Sequence, residues 1–243
     1  EFFKDHPYCA GWIPMGGGKT PSTLTAFVDL LNTNAAKHML VVAPLRVARK
    51  VWLDETKRWS HLQGLTVDRI LGTPQQRWDA LNRPAHIHCI NRENLEWLEC
   101  QFVEGSGKKF KQFRRWPWDV VVLDEAQSFK SQESVRFTSM RRLRRLGGYD
   151  IQRVIELTGT PAPNGYKDLW AQIMLLDQGQ RLGVDEKQYL DRWFERVFHD
   201  SYTTYSLRDG AKEEIHRLLA DIVLALDDSE VGSLPPRFND IRV

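Results

Sequence analysis

Met15-Gly16-Gly17-Gly18-Lys19-Thr20 brings together residue types that grip phosphate. Glycine lets the backbone take positive φ and turn its N–H groups toward an anion. A lysine behind such a loop reaches the β- and γ-phosphates of a nucleotide, and an adjoining threonine hydroxyl can bind Mg²⁺. Gly16, Gly17, Gly18, Lys19 and Thr20 are the candidate nucleotide-binding residues, with Lys19 a candidate catalytic residue as well. A helix starting here points the positive end of its dipole at the same anion. The pattern G-x-x-x-x-G-K-[ST] asks for glycine five places before Gly18, where this chain has Ile13. An incidental Gly-rich turn is the alternative reading, and context decides between the two.

A second set follows the apolar run Asp119 to Leu123. Asp124 at the tip of that strand can hold Mg²⁺. Glu125 can orient or deprotonate an attacking water. The plain alternative is a helix N-terminus that favours acids. It accounts for one carboxylate, not for a pair behind a buried strand in a chain with a phosphate loop. Leu157-Thr158-Gly159-Thr160-Pro161 lies behind another apolar run. The Thr158 and Thr160 hydroxyls can hydrogen-bond Gln127 or the Asp124–Glu125 pair, although such a turn alone is common.

These residues need elements to hold them. Tyr8 to Ile13 reads as a strand running into the loop, and Thr20 to Leu31 as a helix with Leu24, Phe27, Val28 and Leu31 recurring at three and four. Pro21 is tolerated because it lies in the first turn. Met39 to Ala43 is a continuous apolar run, as a central parallel strand should be. A helix to about Trp59 follows, with Ala48, Val51, Trp52 and Trp59 on one stripe. Strands are expected at Thr66 to Leu71, His86 to Ile90, Asp119 to Leu123 and Arg153 to Leu157. Helices are expected after Pro74, over Arg92 to Glu99, over Gln132 to Leu146 and over Asn164 to Leu176. Beyond Asp177 no further clear strand is visible, and two helices are expected near Glu186 to Val197 and Lys212 to Leu226. Alternating strand and helix predicts an α/β fold with a mostly parallel sheet and helices on both faces. Ligands in such folds bind at the carboxyl ends of the strands, where the Gly-rich loop, Pro44, Asn91, Asp124 and Thr158 all fall.

Composition sets outer bounds. With 243 residues, 42% hydrophobic and 27% charged, the chain can bury a sizeable core. No apolar run reaches the length of a membrane span and no secretory signal is visible, so a cytoplasmic protein without a membrane partner is expected. Cys9, Cys89 and Cys100 lack metal-ligand spacing and read as reduced thiols. His86 and His88 flank Ile87 on a strand and read as structural rather than metal-binding. The net charge of +2 does not announce a nucleic-acid binder. Two basic clusters, Lys108 to Trp116 and Arg141 to Arg145, are either solvated faces or phosphate contacts.

MGGGKT, APLRVARKVW, DEAQSFK and LTGTPAPN, in this order, resemble the first RecA-like domain of superfamily II helicases and translocases, within it the Swi/Snf-type group. The phrases LGTPQQR and INRENLEWL resemble the compact phage-encoded branch, which would place the protein in a host cytoplasm. The resemblance implies a three-layer P-loop domain over 1–176, a helical appendage of the same lobe over 177–235, and a linker from 236 toward a second RecA-like domain. It implies ATP and Mg²⁺ as ligands and double-stranded DNA, held without regard to sequence, as partner. Lys19 would contact the β- and γ-phosphates, Thr20 and Asp124 would hold Mg²⁺, and Glu125 would be the base. Gln127, Thr158 and Thr160 would couple nucleotide to nucleic acid. Pro44, Leu45 and Arg46 match a segment that touches the DNA backbone, and Asn91, Arg92 and Asn94 a second one. Gly17 stands where leucine is usual and Gln127 where histidine is more frequent. The chain opens at Glu1, so a piece of a longer protein is expected, with the adenine-reading motif upstream and the arginine finger on the second lobe. Such a half-motor should hydrolyse ATP poorly by itself. The competing classes are a nucleic-acid-binding or recruitment module with little turnover, and an unrelated P-loop enzyme such as a nucleotide kinase.

Overall fold

A computed structural model describes residues 1–105, 111–146, 151–199, 201, 203–227 and 229–230. Helix α1 (Phe2–Asp5) precedes β1 (Tyr8–Trp12), which runs into the Gly-rich loop and α2 (Lys19–Asn32). Then come β2 (Met39–Ala43), a π-helical turn (Val47–Val51), α3 (Trp52–Arg58), β3 (Val67–Ile70), α4 (Pro74–Asn82), β4 (Ile87–Asn91) and α5 (Leu95–Glu99). Strands β5 (Val103–Glu104) and β6 (Lys111–Gln112) form a small antiparallel pair. The second half holds β7 (Val120–Asp124), α6 (Val135–Leu146), β8 (Arg153–Thr158), α7 (Leu169–Asp177), α8 (Glu186–Trp193), β9 (Phe194–Phe198), β10 (Thr203–Leu207), α9 (Ala211–Leu219) and β11 (Val223–Ala225).

Seven strands form one parallel sheet in the order β11-β1-β8-β7-β2-β4-β3. Its middle strands are buried on both faces, which is why they read as continuous apolar runs. Alternate residues of one strand feed different cores. Met39, Val41 and Ala43 join Leu24, Phe27 and Trp52 on one side, whereas Leu40 and Val42 join Phe137, Met140 and Trp170 on the other. The result is the expected three-layer α/β architecture.

Three expectations need correction. The stretch beyond Asp177 is not all helix. Phe194 to Phe198 pairs with Thr203 to Leu207 as an antiparallel hairpin, and Val223 to Ala225 joins the main sheet beside β1. The apolar spacing of Tyr189, Trp193 and Val197 imitates a helix, but Arg208 Nε donates to the Phe194 carbonyl (3.0 Å) and its backbone N–H to the Trp193 carbonyl (3.0 Å), stopping α8 there. Second, the face buried after β2 is Ala48, Trp52 and Thr56, while Val51 and Trp59 are exposed. The π-turn inserts an extra residue and rotates the following helix relative to a plain 3.6-residue reading. Third, Asn164 does not open α7; a 3₁₀ turn (Tyr166–Asp168) precedes it. Lys108, Lys109 and Phe110, the start of one basic cluster, and the linker from 236 lie outside the described residues.

Candidate active site

Sheet order assembles the site. β1, β8 and β7 are neighbours, so the Gly-rich loop, the Thr158–Thr160 turn and the Asp124–Glu125 pair emerge side by side at the carboxyl edge. β2 and β4 continue that edge with Pro44 and Asn91. The register sets Trp12 against Thr158 and Asp124 against Leu157.

The loop is closed by a turn in which Gly17 N–H donates to the Pro14 carbonyl (3.1 Å). Gly16 and Gly18 have φ of +82° and +77°, a region costly for residues with a Cβ. Ile13 is packed in the core, and the turn forms without a glycine there. Gly18 is the N-cap of α2 and offers no side chain to its first-turn N–H groups, which suits them to an anion. Gly159 lies against the loop: a Cβ there would meet the Ile13 carbonyl oxygen at 3.4 Å, an ordinary van der Waals contact. Ile13 N–H donates to the Thr158 carbonyl (2.9 Å), locking loop and turn together.

Lys19 Nζ donates to the carbonyls of Ile13 (2.7 Å) and Pro14 (3.2 Å), so the ammonium folds back over the loop. Burial pulls its pKa below the usual lysine value, against the fields of Glu125 and Asp124, which raise it. Asp124 is buried, and desolvation pushes its carboxyl up to about 6, with Glu125 adding to the rise. Hydrogen bonds from Trp52 Nε1 to Oδ2 (3.0 Å) and from the Glu125 N–H to Oδ1 (3.0 Å) oppose that shift, as does Lys19. A buried carboxylate held by only two hydrogen bonds, and the Thr20 hydroxyl that follows Lys19, are hard-oxygen donors of the kind that suit Mg²⁺.

Glu125 takes φ +56°, an uncommon conformation for a residue with a long side chain. Its Oε2 accepts from Gln127 Nε2 (2.7 Å), and Gln127 Oε1 accepts from Thr158 Oγ1 (2.7 Å). Thr158 Oγ1 in turn accepts from the Thr160 N–H (3.0 Å). The four residues therefore form one hydrogen-bonded chain. Behind it, Lys130 pairs with Asp168 (3.5 Å), whose carboxylate also accepts from the Asn164 N–H (2.9 Å).

The two further segments differ in exposure. Leu45 and Arg46 face solvent just beyond β2. Asn91 is buried: its amide nitrogen donates to Glu93 (3.0 Å) and its oxygen accepts from Asn94 (2.6 Å), so it shapes the turn, and Arg92 is paired with Glu93. Two residues escaped the sequence reading. Trp52 reaches Asp124 across 72 residues, a contact no local pattern reveals. Arg77 stacks on Trp97 (4.6 Å) and donates to Asn94 (2.9 Å). The arginines of α6 turn inward in part: Arg142 pairs with Glu99, and Arg144 donates to the Leu175 and Leu176 carbonyls at the end of α7. His88 is structural, its ring accepting from Trp118 Nε1 (3.1 Å).

Residues 14–243 match the family model described as the SNF2-related domain. The chain belongs to the SNF2-related domain family. Among curated relatives, putative protein p41 of Acyrthosiphon pisum secondary endosymbiont phage 1 is 36% identical over 226 residues, covering 90% of this chain and 46% of that protein. The Arabidopsis thaliana ATP-dependent helicase BRM is 26% identical over 236 residues, covering 92% of this chain and 10% of its own. The SNF2-related chain thus spans under half the length of these relatives. The Sulfolobus solfataricus SWI2/SNF2 ATPase core in complex with dsDNA superposes with a TM-score of 0.69 at 22% identity, over 96% of this chain and 43% of that one. That match bears on the fold. No helix among the described residues is long and apolar enough to cross a membrane.

Proposed function

We propose that this chain is the ATP-binding lobe of a DNA-dependent ATPase that couples hydrolysis to movement along duplex DNA. The observation that carries the reading is the continuous chain from Glu125 through Gln127 to Thr158 and Thr160, set beside Lys19 and Asp124. A plain phosphate-binding loop needs no such chain. A motor does, because its base must answer to something beyond the nucleotide.

Gly16 and Gly18 present backbone N–H groups to the phosphates, Gly17 holds the turn closed on the Pro14 carbonyl, and Lys19 leaves the Ile13 and Pro14 carbonyls to meet them. Thr20 and Asp124 would hold Mg²⁺, which when bound neutralises charge on the β- and γ-phosphates. Glu125 orients the attacking water and accepts its proton at the carboxylate. Gln127 restrains that carboxylate, and Thr158 and Thr160 restrain Gln127. The Pro44–Arg46 segment, exposed at Leu45 and Arg46, and the Asn91–Asn94 turn hold the phosphate backbone of DNA, so binding should ignore sequence. Support comes from family membership and from the shared fold of the Sulfolobus ATPase core, which itself holds dsDNA. A second RecA-like lobe of the same protein would complete the site, and a cytoplasmic setting fits this partner.

The test is ATP turnover by the intact protein, with and without duplex DNA. Glu125→Gln should keep nucleotide binding and lose at least about 10²-fold in kcat, whereas Lys19→Ala should lose nucleotide binding by calorimetry. Turnover indifferent to Glu125→Gln overturns the reading. So does stimulation by a small phosphate acceptor but not by DNA.

A further inference from the structure

Trp52 links two parts of this machinery that the chain keeps far apart. Its side chain is fully buried, and its Nε1 donates to Asp124 Oδ2 at 3.0 Å. The other carboxylate oxygen accepts from the Glu125 N–H at 3.0 Å. Two donors on two oxygens fix the plane of the carboxylate and leave lone pairs on both. An indole N–H donates and never accepts, so it orients Asp124 without competing for what Asp124 binds.

The way Trp52 is carried matters equally. It is the first residue of α3, directly behind the π-turn Val47–Val51. That turn packs against β2 and β4 and follows Leu45 and Arg46, both exposed. Within it only Ala48 is buried; Arg49, Lys50 and Val51 face solvent. A π-turn is a rare insertion in a helix and recurs at functional sites. Here buried Ala48 and half-buried Val47 anchor a five-residue turn between an exposed cation and a buried indole.

We propose that Trp52 is a positioning residue for Asp124, and that the π-turn lets a phosphate backbone held at Leu45–Arg46 adjust it. The inference rests on the proposed function. It adds a route from nucleic acid to the nucleotide site separate from the Glu125–Gln127–Thr158 chain: that route governs the base, and this one the carboxylate that meets the metal.

The bland alternative is a core tryptophan whose N–H merely found an acceptor. Trp52→Phe separates the two, because it keeps an aromatic ring in the core and removes the donor. In the intact protein we expect the Mg²⁺ concentration for half-maximal nucleotide binding to rise about 10-fold, as for other groups that orient metal ligands, with metal-free ADP binding unchanged. Turnover on duplex DNA should fall in kcat, with KM for ATP at saturating Mg²⁺ within about twofold of wild type, a split that lost packing would not produce. Duplex DNA should lower the Mg²⁺ half-saturation of the wild type, and both Trp52→Phe and Arg46→Ala should abolish that shift. A wild-type Mg²⁺ half-saturation in Trp52→Phe overturns the positioning role. A surviving DNA shift overturns the π-turn link. Should the variant fold poorly, the wild type supplies its own measurement: the indole ¹⁵N–H resonance of Trp52 should move when Mg²⁺ is added with ADP, and again with duplex DNA. A resonance indifferent to both overturns the inference. A wild type without Mg²⁺-dependent nucleotide binding removes the proposed function and this inference together.

Discussion

Thr158 is the narrowest point in the chain that ends on Glu125. It is fully buried, donates to Gln127 Oε1 at 2.7 Å and accepts from the Thr160 N–H at 3.0 Å. Thr158→Val keeps the shape and removes both interactions, leaving Gln127 half-held and a backbone N–H without its acceptor. Such losses cost about 1–3 kcal/mol when the orphaned group is buried. Nucleotide binding should survive, whereas stimulation of turnover by duplex DNA should drop at least about 10-fold, as read by ATPase assays with and without DNA. A different residue, Glu156, should add a pH dependence to stability. Glu156 on β8 is buried with one carboxylate oxygen unpartnered, and burial, reinforced by Asp177, raises its pKa well above the usual glutamate value against the pull of Arg144. The sign follows from proton counting. The folded state keeps this proton where the unfolded chain releases it, so proton linkage costs nothing below the unfolded pKa and destabilises increasingly as pH rises above it. Glu156→Gln should therefore melt higher than wild type at pH 8, and the gain should fade as pH falls toward the unfolded value of 4.5. Melting curves across that range decide it.

Individual elements show where local pattern suffices and where it does not. The start of α4 was legible from Pro74, and the structure adds a capping box. Thr73 Oγ1 accepts from the Gln76 N–H (3.3 Å), Gln76 returns a bond to the Thr73 N–H (2.8 Å), and Pro74 opens the helix. Thr73→Ala should cost about 1 kcal/mol, a fall in Tm of about 2–4 °C for a domain this size, with turnover unchanged. β2, β4, β7 and β8 were equally readable, because a strand buried on both faces must be a run of apolar residues. β11 was not. Its three residues, Val223, Leu224 and Ala225, are only partly covered, and their partner β1 lies at the other end of the chain. The hairpin was hidden for another reason: Phe198 is 77% exposed, so no buried alternation marks the strand. The π-turn has no composition of its own, and Val51 could be placed outside only after the extra residue was seen. The site divides along the same line. Motifs confined to one strand end were legible, and the Trp52–Asp124 contact was not, since it arises from packing between the helix after β2 and the tip of β7.

At the scale of the whole molecule, charge decides how nucleic acid would be held under the proposed function. The net charge is only +2, so no broad field draws DNA in. Several arginines that looked available are engaged within the fold, among them Arg142 with Glu99 and Arg144 with the end of α7. Arg114 is similarly spent, stacked over Trp78 and Phe102 and bonded to Asn82. Under the proposed function, the carboxyl edge of the sheet would meet a phosphate backbone with exposed cations such as Arg46. Every phosphate neutralised on duplex DNA contributes a slope of about −0.9 in log K against log salt. Arg46 is exposed and lies directly beyond β2, on the edge that carries the proposed nucleotide site. Arg46→Ala in the intact protein should flatten the salt dependence of duplex binding by about one unit. The loss of affinity should be equal for duplexes of unrelated sequence, because a phosphate contact carries no base information. Titrations at several salt concentrations, with two unrelated duplexes, test both halves. An unchanged slope would remove Arg46 from the DNA path, and a loss confined to one sequence would mean that this edge reads bases.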